Sequence, residues 1–428
     1  MTIEERGPHD PAFVEAPFLA QGETARSVRP VFHGPFRWVV LAQGFSALAF
    51  FAYFGTMFAE AAYRFDASTS DLAVLGAALS VPFILGSLLQ GLVVDRWSPK
   101  WMSLIGYVLQ FAAVPVALAA TSLPGLWASG FLVGGAFATI EPSRSAITSL
   151  LVPQEDLVRA NGTLATAFQL SLVLGSLGAG WLLHVWSAHA AYVAAAGVGF
   201  LPPLCMLVVP DVRQRGERPA VSLGHLRRGA ATAWHHPQLR ILAMVTVFGW
   251  FMVNVFFVLE PLFVKDVLGR GGDNLLYLWG AHGAGALAGA IAITRARRTS
   301  GREAMLTCAG VALIGLGIFV YTAVAVYTVA LVASAVSGVG FALLFPPLLA
   351  LIQRVVPEEQ RGRVTSVFVS LQESAGLASS LTLLVLGGVV AVRPTMVAAG
   401  ALLVLIGLVG LRAVVRVPEG AVDDRTPA

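Results

Sequence analysis

Apolar runs of about twenty residues, each nearly free of charge, recur from Arg37 to Arg416, and almost every basic residue falls in every second gap between them. Twenty residues is about the length at which a helix, rising 1.5 Å per residue, crosses a hydrocarbon core roughly 30 Å thick. Twelve such spans are expected, at about 37–62, 72–94, 101–122, 125–150, 162–184, 190–209, 239–264, 274–294, 304–323, 326–352, 365–391 and 394–415. Backbone polar groups in lipid find no water and must be satisfied within their own segment or the bundle. The expected fold is therefore all-α, a polytopic membrane protein. The longest gap follows the sixth span. It divides the chain into a tail (1–36), a six-helix half (37–209), a linker (210–238), a second six-helix half (239–416) and a tail (417–428).

The charge supports this division. Only 12% of residues are charged, against about 25% in a soluble chain, so a water-facing shell is largely missing. The net charge of +4 would suit nucleic acid if it were clustered on one surface. Instead, 24 of the Lys and Arg residues fall on the side of the two termini, and only Arg64, Lys265, Arg270 and Arg393 fall on the other. Cytoplasmic loops retain Lys and Arg. The expected topology is a multi-pass protein of the plasma membrane with both termini cytoplasmic, and no nucleic-acid partner follows. Residues 1–36 carry Pro8, Pro11, Pro17 and several acids rather than the pattern of a cleaved signal peptide. Cys205 and Cys308 lie in apolar spans and read as small buried hydrophobes, so no disulfide, metal or cofactor framework is expected.

An internal repeat is legible. Residues 152–159 (Val-Pro-Gln-Glu-Asp-Leu-Val-Arg) and 356–363 (Val-Pro-Glu-Glu-Gln-Arg-Gly-Arg) share Val, Pro, Glu and Arg at an offset of 204. The same offset carries the start of span 1 to the start of span 7, and Asp95 into the basic loop Arg295–Arg302. Parallel six-helix repeats related by an axis along the membrane normal are a transporter plan, with the substrate site between them at mid-depth.

The loop between spans 2 and 3 reads Gly91-Leu92-Val93-Val94-Asp95-Arg96-Trp97-Ser98-Pro99-Lys100. It resembles the signature loop of the major facilitator superfamily, with Ser98 where a second glycine is usual. After span 4, Glu141-Pro142-Ser143-Arg144-Ser145-Ala146, then Leu151-Val152-Pro153 and Arg159-Ala160-Asn161, is similar to the branch containing the enterobactin exporter and the macrolide-efflux proteins. Span 5 carries Gly175-Ser176-Leu177-Gly178-Ala179-Gly180, which resembles the glycine-rich motif of drug antiporters, with Ser176 where a proline is typical. The arginine that many drug antiporters carry within span 4 is replaced by the stretch holding Gly130, Phe131, Gly134 and Gly135. The resemblance implies twelve helices, alternating access, and a conformational latch on the cytoplasmic side formed by Gly91, Asp95, Arg96, Lys100 and Arg144. In that latch Asp95 would meet the amino terminus of span 11 and Arg96 would pair with Glu141.

Ionisable groups inside a bilayer are costly and are candidate functional sites. Glu373 stands in a stretch of Val, Phe, Ser, Leu and Ala, and its repeat equivalent is neutral Gln169. A carboxyl on one side and an amide on the other suit a proton-coupling site, with Glu141 as the second candidate. Glu60 and Glu260 fall near the outer ends of spans 1 and 7, where a wetted rim and a gate are equally consistent with the sequence; His184 and His282 read as packing donors. Spans 1 and 7 are rich in aromatics. With Gln43, Phe51 and Phe54 on one, Trp250, Phe251 and Asn254 on the other, and Gln169, they supply a cavity suited to a planar or amphiphilic substrate.

The expected function is a secondary active transporter: a proton-coupled exporter, or antiporter, of a small amphiphilic compound such as a drug, antibiotic or siderophore. Its expected partners are that substrate, protons and the lipid bilayer, with the chain acting as a monomer. An importer or facilitator, or a sensor that kept the fold, is the alternative. The sequence carries no GxxxxGK[ST] loop to cradle ATP phosphates and no HExxH or other metal-ligand spacing, and an enzyme is not expected.

Overall fold

The computed structural model describes residues 34–93, 98–153, 156–211, 223–295 and 301–417. Within them the chain is helical and contains no strand. The first half comprises α1 (Phe36–Tyr63), α2 (Thr69–Val93), α3 (Pro99–Leu118), α4 (Leu123–Leu151), α5 (Leu157–Val185) and the pair α6 (Ala188–Gly199) and α7 (Leu201–Val208). Helix α8 (Leu223–His235) lies in the linker. The second half comprises α9 (Pro237–Leu262), α10 (Gly272–Arg295), α11 (Glu303–Val324), α12 (Tyr327–Val355), α13 (Glu358–Leu386) and α14 (Val392–Val415). Twelve segments are long and apolar enough to cross a membrane, as expected. The sixth is broken at Phe200, just before Pro202 and Pro203, because proline cannot donate to the preceding turn. The seventh continues past Pro261 through a π-helical turn, Phe263–Val267.

Local chemistry sets several boundaries. Ser98 caps α3 by accepting from the Trp101 amide at 3.4 Å, with Pro99 in the first helical position. Ser187 caps α6 in the same way, from the Ala190 amide at 3.4 Å. Two features depart from the expected spans. Helix α13 starts at Glu358 rather than near 365, because its polar first turns are good helix formers that hydropathy alone passes over. Helix α8 was not anticipated; its Thr232 Oγ1 donates to Gln360 Oε1 at 2.8 Å, docking the linker onto the start of α13.

The repeat is visible in the packing. In the first half α1 packs on α5 and α6, α2 on α4, and α3 on α4 and α6. The second half repeats each pairing: α9 on α13 and α14, α10 on α12, and α11 on α12 and α14. The halves meet through α2 with α13 and α5 with α10, again as equivalents. The offset of 204 also carries Gly134 to Gly338. A Cβ on Gly134 would collide with the Leu79 carbonyl of α2, and one on Gly338 with the His282 carbonyl of α10. In lipid, such close backbone approach supplies association that hydrophobic burial cannot.

Candidate functional site

Every hydrogen bond and ion pair joining described residues of the two halves lies at the end remote from the termini. There Lys265 donates to the Ala62 carbonyl at 2.8 Å and pairs with Asp66. Tyr63 Oη donates to the Arg270 carbonyl at 2.6 Å, His184 Nδ1 meets Asp273 Oδ2 at 2.9 Å, and Ser70 Oγ donates to the Leu384 carbonyl at 3.3 Å. At the other end, the contacts between described residues stay within a half. Lys100 donates to the Leu207 carbonyl at 2.9 Å, Arg144 pairs with Glu141, and Arg354 meets Glu303 at 3.0 Å. Among the described residues, the polar ties between the halves gather at one end.

The Lys265 ammonium hydrogen-bonded to Asp66 holds that carboxyl below the usual carboxylate range. A depressed value means the attraction is fully present above the ordinary carboxylate range and is lost as pH falls through the lowered value. Asp66 is 91% exposed, so salt screens the pair. Lys265→Met is expected to open the tied end in a larger fraction of molecules, since it removes both the ion pair and the bond to Ala62. Distances between spin labels at Ser68 and Val389 test this; an unchanged distribution in the variant would assign the seal to the other ties, Tyr63–Arg270, His184–Asp273 and Ser70–Leu384, and to the apolar contacts.

Inside the seal the rings of α1 form a continuous aromatic wall. Phe54 lies 4.9 Å from Phe50 and Phe58, and 5.3 Å from Trp279 of α10, across the boundary between halves. Phe51 packs edge-on against Phe168 of α5 at 5.1 Å, and Phe50 against Phe137 of α4 at 4.7 Å. Phe51, Phe54, Gln169, Phe251 and Asn254 all keep partial exposure. Gln43 is buried in α1, and Trp250 packs 6.0 Å and 5.7 Å from Phe341 and Phe345 of α12, within the second half.

Glu373 is the sixteenth of the 29 residues of α13, close to the middle of that helix. It is partly exposed and makes no hydrogen bond or ion pair among the described residues. One turn on, Gly376 packs against Asn254 of α9, whose Nδ2 donates to the Trp250 carbonyl at 3.0 Å. Glu373 therefore lies about one turn before a contact of α13 with the helix that carries half of the expected cavity. Gln169 is the thirteenth of the 29 residues of α5, at a matching depth.

Neither glutamate expected at the outer rim is wetted. Glu60 is 5% exposed and meets Arg64 at 2.6 Å. Glu260 is 1% exposed; Trp279 Nε1 donates to its Oε2 at 2.8 Å and Tyr321 Oη to its Oε1 at 3.0 Å. His184 proves to be a tie between halves, and His282 lines the small pocket next to Glu260. Of the latch residues, Gly91 falls in the last turn of α2, and Lys100 and Arg144 are tied within the first half. Asp95 and Arg96 lie outside the described residues. Trp279 and Tyr321 were not singled out from the sequence. The available signal was a tryptophan well inside a span: its indole N–H needs an acceptor, and few acidic residues exist at that depth.

A model of the Major Facilitator Superfamily matches residues 39–380. The chain is 23% identical over 390 residues to YfiS, an uncharacterized MFS-type transporter of Bacillus subtilis (strain 168), covering 87% of this chain and 91% of that one. It is 25% identical over 229 residues to the chloramphenicol efflux pump Rv0191 of Mycobacterium tuberculosis, about half of each protein (50% and 49%). Among solved structures it superimposes on a mutant of the nucleoside transporter NupG with a TM-score of 0.71 at 12% identity, covering 89% of this chain and 100% of that one. A bacterial homolog of the human lysosomal transporter Spinster, inward-facing and unoccupied, gives a TM-score of 0.63 at 14% identity, covering 89% and 97%. At these identities the likeness is one of fold.

Proposed function

The chain belongs to the Major Facilitator Superfamily, and from that premise we propose that it is a proton-driven exporter of small amphiphilic compounds working by alternating access. A transporter of this family is not an enzyme, and its cargo is a small molecule. The observation that carries the proton-coupled reading is Glu373, a mid-helix carboxyl without a polar partner among the described residues, facing neutral Gln169 in the repeat. A carboxyl so placed can carry a proton from one side to the other as the halves rock. Phe51, Phe54, Gln169, Trp250, Phe251 and Asn254, all partly exposed, form the substrate wall in this reading, with buried Gln43 behind it. Export is supported by the Glu141–Asn161 run, similar to exporter sequences, and by the match to a chloramphenicol pump. Gly91, Asp95, Arg96, Lys100 and Arg144 form the cytoplasmic latch of the opposite state. With the termini cytoplasmic, the sealed end is the outer one and the conformation is inward-facing. The chain acts as a monomer in the plasma membrane.

Proteoliposomes with an imposed pH gradient, loaded in turn with chloramphenicol, macrolides and siderophores, test the function. Accumulation of at least one compound on the acidic side, collapsed by a protonophore, is expected. Equal flux with and without the gradient would make the protein a facilitator.

The topology has its own test. Since 24 basic residues lie on the side of the termini and 4 on the other, cysteines placed in 210–238 should resist an impermeant thiol reagent in intact cells. Ready labelling there would invert the orientation and, with it, the direction of transport.

A further inference from the structure

We propose that the pocket around Glu260 is a monovalent-cation site in the second half, taking a proton or a sodium ion, and separate from Glu373. Its carboxylate is fully enclosed, and both oxygens are held by neutral donors, Trp279 Nε1 at 2.8 Å and Tyr321 Oη at 3.0 Å. No described residue forms an ion pair with it, whereas an uncompensated carboxylate in apolar surroundings is expensive even when hydrogen-bonded.

Comparison with the first half identifies what is missing. Glu60 also lies near the outer end of its helix, but carries its own counter-charge four residues on, Arg64 at 2.6 Å. Four residues after Glu260 stands Val264, fully buried, and the neighbouring Lys265 is turned away to Ala62 and Asp66. The offset of 204 carries Glu60 to Val264 rather than to Glu260, so the two carboxylates are not repeat equivalents; the one in the first half has a cation beside it, and the one in the second half has none among the described residues. The space fits a monovalent cation. The pocket beside Glu260 is lined by the hydroxyl-bearing Ser334 and Ser337 of α12 and by His282, and admits a water-sized particle rather than a drug-sized one. Hard cations prefer oxygen ligands of this kind.

The titratable groups lining the pocket with Glu260 are Tyr321 of α11 and His282 of α10. Helix α12 contributes only hydroxyls and apolar groups. Trp279 connects the site to the seal. Its N–H is on Glu260 while its ring meets Phe54 and Phe58 of α1 at 5.3 Å and 6.4 Å, so whatever neutralises Glu260 acts on a side chain at the boundary between halves.

The test uses the full chain in nanodiscs, as wild type, Glu260→Gln and Glu373→Gln. Infrared difference spectra over a pH titration report a protonated carboxyl, and radioactive sodium ion reports the other occupant. A carboxyl band, or sodium binding, that survives Glu373→Gln and disappears in Glu260→Gln establishes the site and says which cation fills it. If neither signal depends on Glu260, the residue is a structural carboxylate and the proposal falls, while the Glu373 reading stands. Should Glu260→Gln fail to fold, Tyr321→Phe removes one donor and keeps the carboxyl. It should then shift the band or weaken sodium binding several-fold, and an unaltered signal would overturn the proposal.

Discussion

Glu373→Gln is expected to abolish gradient-driven efflux while leaving the protein folded and able to bind substrate. The amide keeps the shape and a hydrogen-bonding capacity but cannot exchange a proton. Because Glu373 makes no hydrogen bond or ion pair with any described residue, no structural partner is lost on substitution. Stability should therefore change little, in contrast to the removal of one member of a buried pair. The two halves should still rock, so downhill movement of substrate persists, while uphill accumulation falls to the level of empty liposomes. Substrate binding should also lose its dependence on pH, since in this mechanism a proton and substrate alternate at the same wall. Flux and binding measured on one preparation separate these effects. Uphill pumping by the variant would make Glu373 structural and pass the coupling role to Glu141, whose pairing with Arg144 is set within one half.

The helical fold was largely legible in the sequence because a bilayer imposes span length before any side chain packs, and the offset of 204 showed which helices would pack alike. What hydropathy passed over was polar helix, namely the first turns of α13 and the whole of α8, whose stability comes from docking rather than from lipid. At the site, Glu373 was legible because an acid in an apolar run stands out on its own. Glu260 was half legible. Its position near a helix end left a rim and a gate equally open, and only the arrival of Trp279 and Tyr321 from α10 and α11 places it in the interior. Those partners lie 19 and 61 residues away in sequence, a separation that no local pattern encodes. The ties Lys265–Asp66 and His184–Asp273 were hidden for the same reason, although Lys265 was conspicuous as one of four basic residues on its side.

Gly338→Leu is expected to cost the protein its folded state. At this crossing the α12 backbone lies so close to α10 that a Cβ would overlap the His282 carbonyl, and the Ala286 amide nitrogen is 2.8 Å from the same point. Overpacking a core costs about 1–3 kcal/mol where side chains can give way. Here the obstacle is backbone, so the helices must separate or slide, and the cost rises toward the whole stability of a domain, about 5–15 kcal/mol. Gly134→Leu should behave alike, since the Leu79 carbonyl plays the same part in the first half. Gly135→Leu is the control: nothing lies within 4 Å of its added Cβ, although it is the next residue along the same helix. Size-exclusion profiles of detergent-solubilised protein after stepped heating measure all three. Loss of the monodisperse peak in the first two, with the third close to wild type, is the expected result. Wild-type behaviour in Gly338→Leu would mean that α10 and α12 are free to part at this point. His282 would then be free to move as well, and the wall of the Glu260 pocket would no longer be fixed by the crossing behind it.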